Sequence, residues 1–253
     1  MMNSFISWIG GKRLLRKKIL DMFPEEGVFN RYIEVFGGAG WMLFSSNRHA
    51  SMEVYNDING NLVNLFKCTK YHPEALQKEL EFILMSREQF FDARDQIKVR
   101  GLTDIQRAAR FYILIKESYG ADLDSFCIRS KNMENAINYI LTVSKRLKNV
   151  VIENQDFECI LRTYDKNDAL FYLDPPYYTA ERYYSDKFIL ADHERLRKIL
   201  ENLKGKFLLS YNECDYIREL YEGYTILEID RTHNLIHNQK ERPRYKELLI
   251  KNY

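Results

Sequence analysis

An aspartate, two prolines and a tyrosine in succession, Asp174-Pro175-Pro176-Tyr177, end the apolar run Ala169-Leu170-Phe171-Tyr172-Leu173. Five apolar residues in a row read as a buried strand, and two prolines stop it, because each fixes φ and lacks the N–H that a sheet ladder uses. The chain must leave the sheet at the strand's carboxyl end, where parallel α/β sheets usually bind their ligands. A carboxylate, a stiff backbone with free carbonyls and an aromatic ring then stand together. Asp174 and the Pro175 carbonyl can accept both hydrogens of an exocyclic amino group, while Tyr177 stacks on the heterocycle's face, a contact worth about 1 to 3 kcal/mol. These parts suit a planar base that carries an amino group. Taken alone, the tetrapeptide also fits a plain Asp-Pro turn after a core strand.

A second junction of this kind lies near the start. Arg31-Tyr32-Ile33-Glu34-Val35-Phe36 reads as a strand that runs into the turn Gly37-Gly38-Ala39-Gly40, and Trp41-Met42-Leu43-Phe44 reads as the start of a helix. Asp57 follows Gly38 by 19 residues, in Val54-Tyr55-Asn56-Asp57-Ile58-Asn59, at the end of a second strand. A glycine turn lets a ligand approach the backbone, and an acid at the next strand's end accepts hydrogen bonds from ribose hydroxyls. Leu43 occupies the place of the third glycine in the dinucleotide fingerprint. A nucleoside without a pyrophosphate therefore fits better than NAD or FAD.

The elements that must hold these groups follow from periodicity. Strands are expected at Val150 to Ile152, Ala169 to Leu173, Lys206 to Tyr211, Tyr224 to Ile229 and Lys246 to Ile250, the last two joined by a basic loop as an antiparallel edge hairpin. Between the two groups of strands the pattern turns helical. Thr103-Asp104-Ile105-Gln106 is a capping box that opens a helix through Ile115, which stops at Gly120. A second helix is expected from Asn132 to Leu147. The division predicted is a catalytic domain of residues 1–61 and 149–253, interrupted by a mainly helical domain of residues 62–148. No internal repeat or low-complexity tract is apparent.

Composition narrows the class. With 253 residues, 45% hydrophobic and 29% charged, the chain is an ordinary globular protein of one or two domains, and neither disorder nor membrane spanning is expected. Its first basic cluster follows a short apolar stretch, the reverse of a signal peptide, which points to a cytoplasmic protein. Cys68, Cys127, Cys159 and Cys214 form no C-x-x-C pair, so no zinc site and no disulfide framework is expected. A net charge of +2 is too small to announce a polyanion partner. Local charge says more: from Arg94 to Lys148 there are 11 Lys or Arg against 6 Asp or Glu. Such a cluster suits either phosphate neutralisation or solvated helix faces.

Four pieces stand in order: Trp8-Ile9-Gly10-Gly11-Lys12, Glu34-Val35-Phe36-Gly37-Gly38-Ala39-Gly40, Asn56-Asp57-Ile58-Asn59 and Asp174-Pro175-Pro176-Tyr177. Together the chain resembles the Dam-type DNA adenine-N6 methyltransferases, the D12 class of the alpha group, over residues 5–66 and 149–253. The resemblance implies a Rossmann-like methyltransferase sheet with a C-terminal antiparallel hairpin and an inserted helical target-recognition domain. It also implies site-specific methylation of adenine N6 in double-stranded DNA, from S-adenosylmethionine and without a metal, by a monomer or weak dimer. On this resemblance Gly37, Gly38 and Gly40 approach the cofactor's methionine portion, Asp57 holds its ribose, and Phe36 and Asp174 also belong to the cofactor site. Trp8 and Lys12 belong to the segment that closes over it, Asp156-Phe157 meets its adenine, and Asp174, Pro175, Pro176 and Tyr177 are catalytic. Tyr119, Arg129 and Lys131 are the candidates for DNA contact, Arg129 for a bidentate contact with guanine.

The chain departs from the family pattern in two places. Val35 stands where many relatives have proline. The insert passes from Ser118-Tyr119-Gly120 through Phe126-Cys127-Ile128-Arg129 almost directly into the next helix, without the Asn-Gly, Arg-rich segment and extended hairpin of GATC-reading relatives. That leaves the recognition sequence open. Two rival readings share some of the motifs: a methyltransferase of RNA or of a protein glutamine, and a DNA-binding relative that no longer catalyses.

Overall fold

Every residue of the strand Ala169–Leu173 is buried, which places it inside a sheet covered on both faces. The computed structural model describes residues 2–25, 27–83, 86–127, 133–178, 188–232 and 244–253. Among them, β1 (Arg31–Glu34), β2 (Met52–Asn56), β3 (Val150–Glu153), β4 (Ala169–Leu173), β5 (Lys206–Asn212), β6 (Thr225–Thr232) and β7 (Arg244–Lys251) form one sheet. Its order is β3-β2-β1-β4-β5-β7-β6. The first five strands in that order are parallel, and β7 runs antiparallel to both β5 and β6. The mixed sheet and the closing hairpin are as the sequence predicts.

This order sets the location of the site. From β1 the chain builds outward to β2 and β3, then crosses back to place β4 on the other side of β1. Strand order reverses between β1 and β4, and such a switch point opens a crevice at the carboxyl ends. Register brings the ends level: Glu34 pairs with Tyr55 on one side and Tyr172 on the other. The Val35 N–H continues the ladder to the Tyr172 carbonyl at 3.0 Å. The glycine turn and Asp174 therefore leave the sheet side by side.

Successive side chains of a strand point to opposite faces, and two cores result. Tyr32, Tyr55, Leu170, Tyr172, Leu208 and Leu249 face one. Ile33, Val54, Phe171, Leu173, Phe207 and Leu209 face the other. The second core is covered by α7 (Phe157–Tyr164), α8 (Leu190–Glu201) and α9 (Asp215–Leu220). The first is covered by the N-terminal segment with α1 (Arg16–Leu20), and by α2 (Gly60–Tyr71), α5 (Asp104–Glu117) and α6 (Met133–Leu147). Helix α3 (Pro73–Glu81) adds Leu76 and Leu80 to the first core, while Phe90 and Ala93 of α4 (Arg87–Gln96) make a small core of their own with Leu114. Among the described residues no helix is long and apolar enough to cross a membrane.

The helices begin where local chemistry directs. Thr103 and Gln106 form the full capping box of α5. That helix stops at Glu117, three residues before Gly120, because the chain turns back on itself: Ser118 bridges Phe126, and the Cys127 N–H reaches the Glu117 carbonyl at 2.7 Å. The departure of the chain near Trp41 is the larger surprise. The expected helix there is only a single turn, Leu43–Ser45. Glu34 takes the Leu43 N–H at 2.6 Å, and Arg146, 6% exposed, clamps the Leu43 and Ser46 carbonyls while pairing with Glu53. With those groups engaged from outside, the i→i−4 ladder goes no further than the bond from the Phe44 N–H to the Gly40 carbonyl. Arg146 is thus one member of the basic cluster that is structural.

Candidate active site

The glycine turn is held from both sides. Asn56, just before Asp57, donates to the Val35 and Gln155 carbonyls at 2.9 and 3.0 Å and accepts from the Gln155 N–H at 2.9 Å, tying three strand ends together. Asp57 accepts from the Gly38 N–H and the Asn59 N–H, both at 2.8 Å. The Tyr55 hydroxyl donates to the Gly38 carbonyl at 2.7 Å. A methyl group on Gly37 would lie 2.3 Å from the Tyr55 ring, and one on Gly38, whose φ is +49°, would lie 3.0 Å from Trp8. Glycine is required here for room as much as for backbone freedom.

At the end of β4 the Asp174 carboxylate meets Lys12. The ammonium sits 2.6 and 2.7 Å from the two carboxylate oxygens and 3.1 Å from the Gly10 carbonyl. Ser210 of β5 donates a further hydrogen bond to Asp174 at 2.8 Å. Burial raises the Asp174 carboxyl above the ordinary range, Lys12 pulls it back down, and Glu247 pushes it up again. Tyr177 stands beside this pair, its ring 4.7 Å from the Lys12 ammonium and its hydroxyl donating to Glu247 at 2.5 Å.

Glu34 is the buried acid at the end of β1. Burial pushes its carboxyl up to about 8, against the hydrogen bonds from Tyr32 and Leu43 that lower it. The native state therefore binds this proton more tightly than the unfolded chain. The resulting stabilisation is complete below about pH 4.5 and is lost as pH rises through about 8, on the order of a few kcal/mol. Glu34→Gln, which keeps the neutral shape, should remove that part of the decline. Thermal melts from about pH 5 to about pH 9 would show it, and parallel curves for the two proteins would refute it.

The far end of the crevice is aromatic. Phe36, Phe157 and Phe188 stand with ring centroids 5.6 to 5.7 Å apart. Asp156 caps α7 by accepting from the Glu158 N–H at 2.9 Å. Both its oxygens also accept from Arg195 of α8, at 3.1 and 2.9 Å, and that guanidinium lies 4.2 Å from the Phe157 ring centroid.

These groups line one cleft of about 310 Å³, within the range of small-molecule sites. Of the residues singled out in the sequence, Trp8, Lys12, Phe36, Gly37, Gly38, Asp57, Asp156, Phe157, Asp174 and Pro176 line it. Gly40, Pro175 and Tyr177 do not: Gly40 is buried against Phe44, Pro175 is buried, and Tyr177 stands against Lys12. Tyr119 is outside the cleft and 47% exposed, whereas Arg129 and Lys131 lie outside the described residues. Ala121, Asp122 and Leu123, from the turn after α5, complete the wall.

Arg195, Ser210 and Glu247 were given no role from the sequence, and Glu34 stood there only as part of the glycine-turn motif. Arg195 and Asp192 look like an ordinary i,i+3 helix pair, and the other three sit in apolar strands as isolated polar residues. Only Glu34, beside the glycine turn, carried a local signal.

The sequence matches proteins of one family. A family model, the D12 class N6 adenine-specific DNA methyltransferase, matches residues 8–235, a span that contains all four motifs. The type II methyltransferase M1.LlaDCHI of Lactococcus lactis subsp. cremoris is 27% identical, over 98% of this chain and 95% of its own length. The type II methyltransferase M.CviBI of Paramecium bursaria Chlorella virus NC1A is 26% identical, over 100% of both chains. A DNA adenine methylase of Haemophilus influenzae is 23% identical, over 97% of this chain and 92% of its own. With the glycine turn, Asp57, Asp174 and Pro176 lining one cleft and the family model spanning residues 8–235, the chain belongs to the D12 class of N6 adenine-specific DNA methyltransferases.

Proposed function

We propose that the protein methylates N6 of an adenine flipped out of duplex DNA, using S-adenosylmethionine bound in the cleft between the glycine turn and Asp174. The observation that carries this reading is the shared wall: the glycine turn, Asp57 and Asp174 line the same space. The donor set suits the cofactor. An aromatic group at one end would face a flat base, Asp57 would accept from ribose hydroxyls, and the acids of the lining outnumber its cations, Lys12 and Arg195, which favours a positively charged ligand. Trp8 and the glycine turn would take the methionine portion, and Asp156-Phe157 the adenine.

When bound, that cofactor supplies an electrophilic methyl group on a sulfonium centre. The chain supplies positioning. Adenine N6 is a poor nucleophile because its lone pair is delocalised into the ring. Asp174 and the Pro175 carbonyl would accept its two hydrogens, draw the nitrogen towards tetrahedral geometry and stabilise the positive charge that develops there. Tyr177 would stack on the extruded base and offset part of the few kcal/mol that flipping costs. Residues 62–148, with Tyr119, Arg129 and Lys131, would contact the flanking DNA and read its sequence.

Radiolabelled methyl transfer to duplex DNA tests the reading, with RNA and protein as parallel acceptors. Modification-sensitive sequencing of DNA from cells expressing the protein would give the methylated base and its context. Label in RNA or protein alone, or none in any acceptor, would overturn it.

A further inference from the structure

Glu247 lies on β7, 1% exposed, opposite Asn212 of β5 and Ile229 of β6. It belongs to none of the motifs, yet it touches two of them. Its Oε1 accepts the Tyr177 hydroxyl at 2.5 Å and stands 3.4 Å from the Lys12 ammonium. That ammonium is in turn shared with both oxygens of Asp174 and lies beside the Tyr177 ring. One cation is thus divided between two buried carboxylates that reach it from different strands.

The division matters for the reaction proposed above, on which this inference rests. Asp174 is already heavily engaged, with Ser210 on one oxygen and Lys12 on both, three of the roughly four acceptor sites of a carboxylate. An incoming amino hydrogen competes with Lys12 for those oxygens, and stranding a displaced ammonium in a buried site is costly. A second carboxylate within about 1 Å of hydrogen-bond range removes the difficulty, because Lys12 can close on Glu247 while leaving Asp174. We propose that Glu247 is a positioning residue of this centre, fixing the Tyr177 phenol and receiving the Lys12 ammonium when a substrate amino group displaces it from Asp174.

The groups facing this centre are Lys12 from the N-terminal segment, Glu34 of β1, Tyr172, Asp174 and Tyr177 at the end of β4, Ser210 and Tyr211 of β5, and Glu247 itself. Glu247 is one of the charges that raise the Asp174 carboxyl. Glu247→Gln keeps the shape and an oxygen for the phenol but deletes the charge. Lys12 then stays on Asp174, so kcat should fall by about 10²-fold with cofactor affinity unchanged. The acid limb of the kcat profile should move to lower pH, since Asp174 loses a neighbour that raised it. Glu247→Asp restores the charge and should return the limb to its wild-type position at a reduced rate.

Wild-type kcat in the Gln variant, or a lost rate with the limb unmoved, would overturn the proposal; the second result would mark a merely structural residue. If the Gln variant does not fold, the Asp variant decides, and a wild-type rate or a displaced limb there overturns it equally. Failure of the wild-type protein to methylate any duplex would instead remove the functional reading beneath it.

Discussion

Asp174→Ala should lower the rate of methyl transfer to duplex DNA by about three orders of magnitude while the protein stays folded and still binds S-adenosylmethionine. The carboxylate is the group that would receive an N6 hydrogen, and the neighbouring acid Glu34 is held by the Tyr32 hydroxyl and the Leu43 N–H. Its removal also deprives Lys12 of a partner. Breaking a buried pair usually costs about 3 to 5 kcal/mol, but here the ammonium keeps the Gly10 carbonyl and lies 3.4 Å from Glu247, so the smaller end of that range is expected. Single-turnover transfer with saturating cofactor separates the chemical step from binding. Turnover within tenfold of wild type, in a variant shown to bind cofactor, would remove Asp174 from the reaction and leave it a structural partner of Lys12.

Gly37→Ala should cost both stability and the cofactor. The added methyl group would meet Tyr55 at 2.3 Å and the Asn56 carbonyl at 2.8 Å. Neither neighbour is free to move. Tyr55 is fully buried, stacked on Phe66 at 4.0 Å, and its hydroxyl is bonded to the next turn of the same loop. The Asn56 carbonyl already accepts the Gly37 N–H at 2.7 Å. The loop must therefore shift towards the cleft, at a cost of about 1 to 3 kcal/mol for overpacking. Because Asp57 is anchored to Gly38, the shift carries the acid with it, and calorimetry should find cofactor affinity reduced by about 10²-fold. Unchanged affinity alongside a lowered melting temperature would separate the turn from the binding site.

Much of this was legible before any coordinates because it is encoded locally. Proline after an apolar run ends a strand wherever the strand lies, and clustered glycines after a strand make a turn whatever surrounds them. Thr103 and Gln106 cap α5 with bonds that span three residues. The single failure of element type, the helix expected near Trp41, came from bonds that span far more: Glu34 and Arg146 reach in from β1 and α6. Local propensity has no term for such partners.

The site divides along the same line. Residue types and spacing were enough to place Asp57, the glycine turn and Asp174 at the ends of strands, and hence to infer a nucleoside cleft opposite a base-holding wall. What they did not contain is which strand lies next to which and in what register, since a period-two pattern is satisfied by many sheet orders. The fold settled that by putting β4 between β1 and β5, with β7 on the far side of β5. Only then do Lys12, Asp174 and Glu247, drawn from three distant parts of the chain, share one ammonium, and only then does Arg195 reach Asp156. Ion pairs of this kind act over a few ångströms of space and are indifferent to separation along the chain, which is why the sequence carried their members but not their meeting.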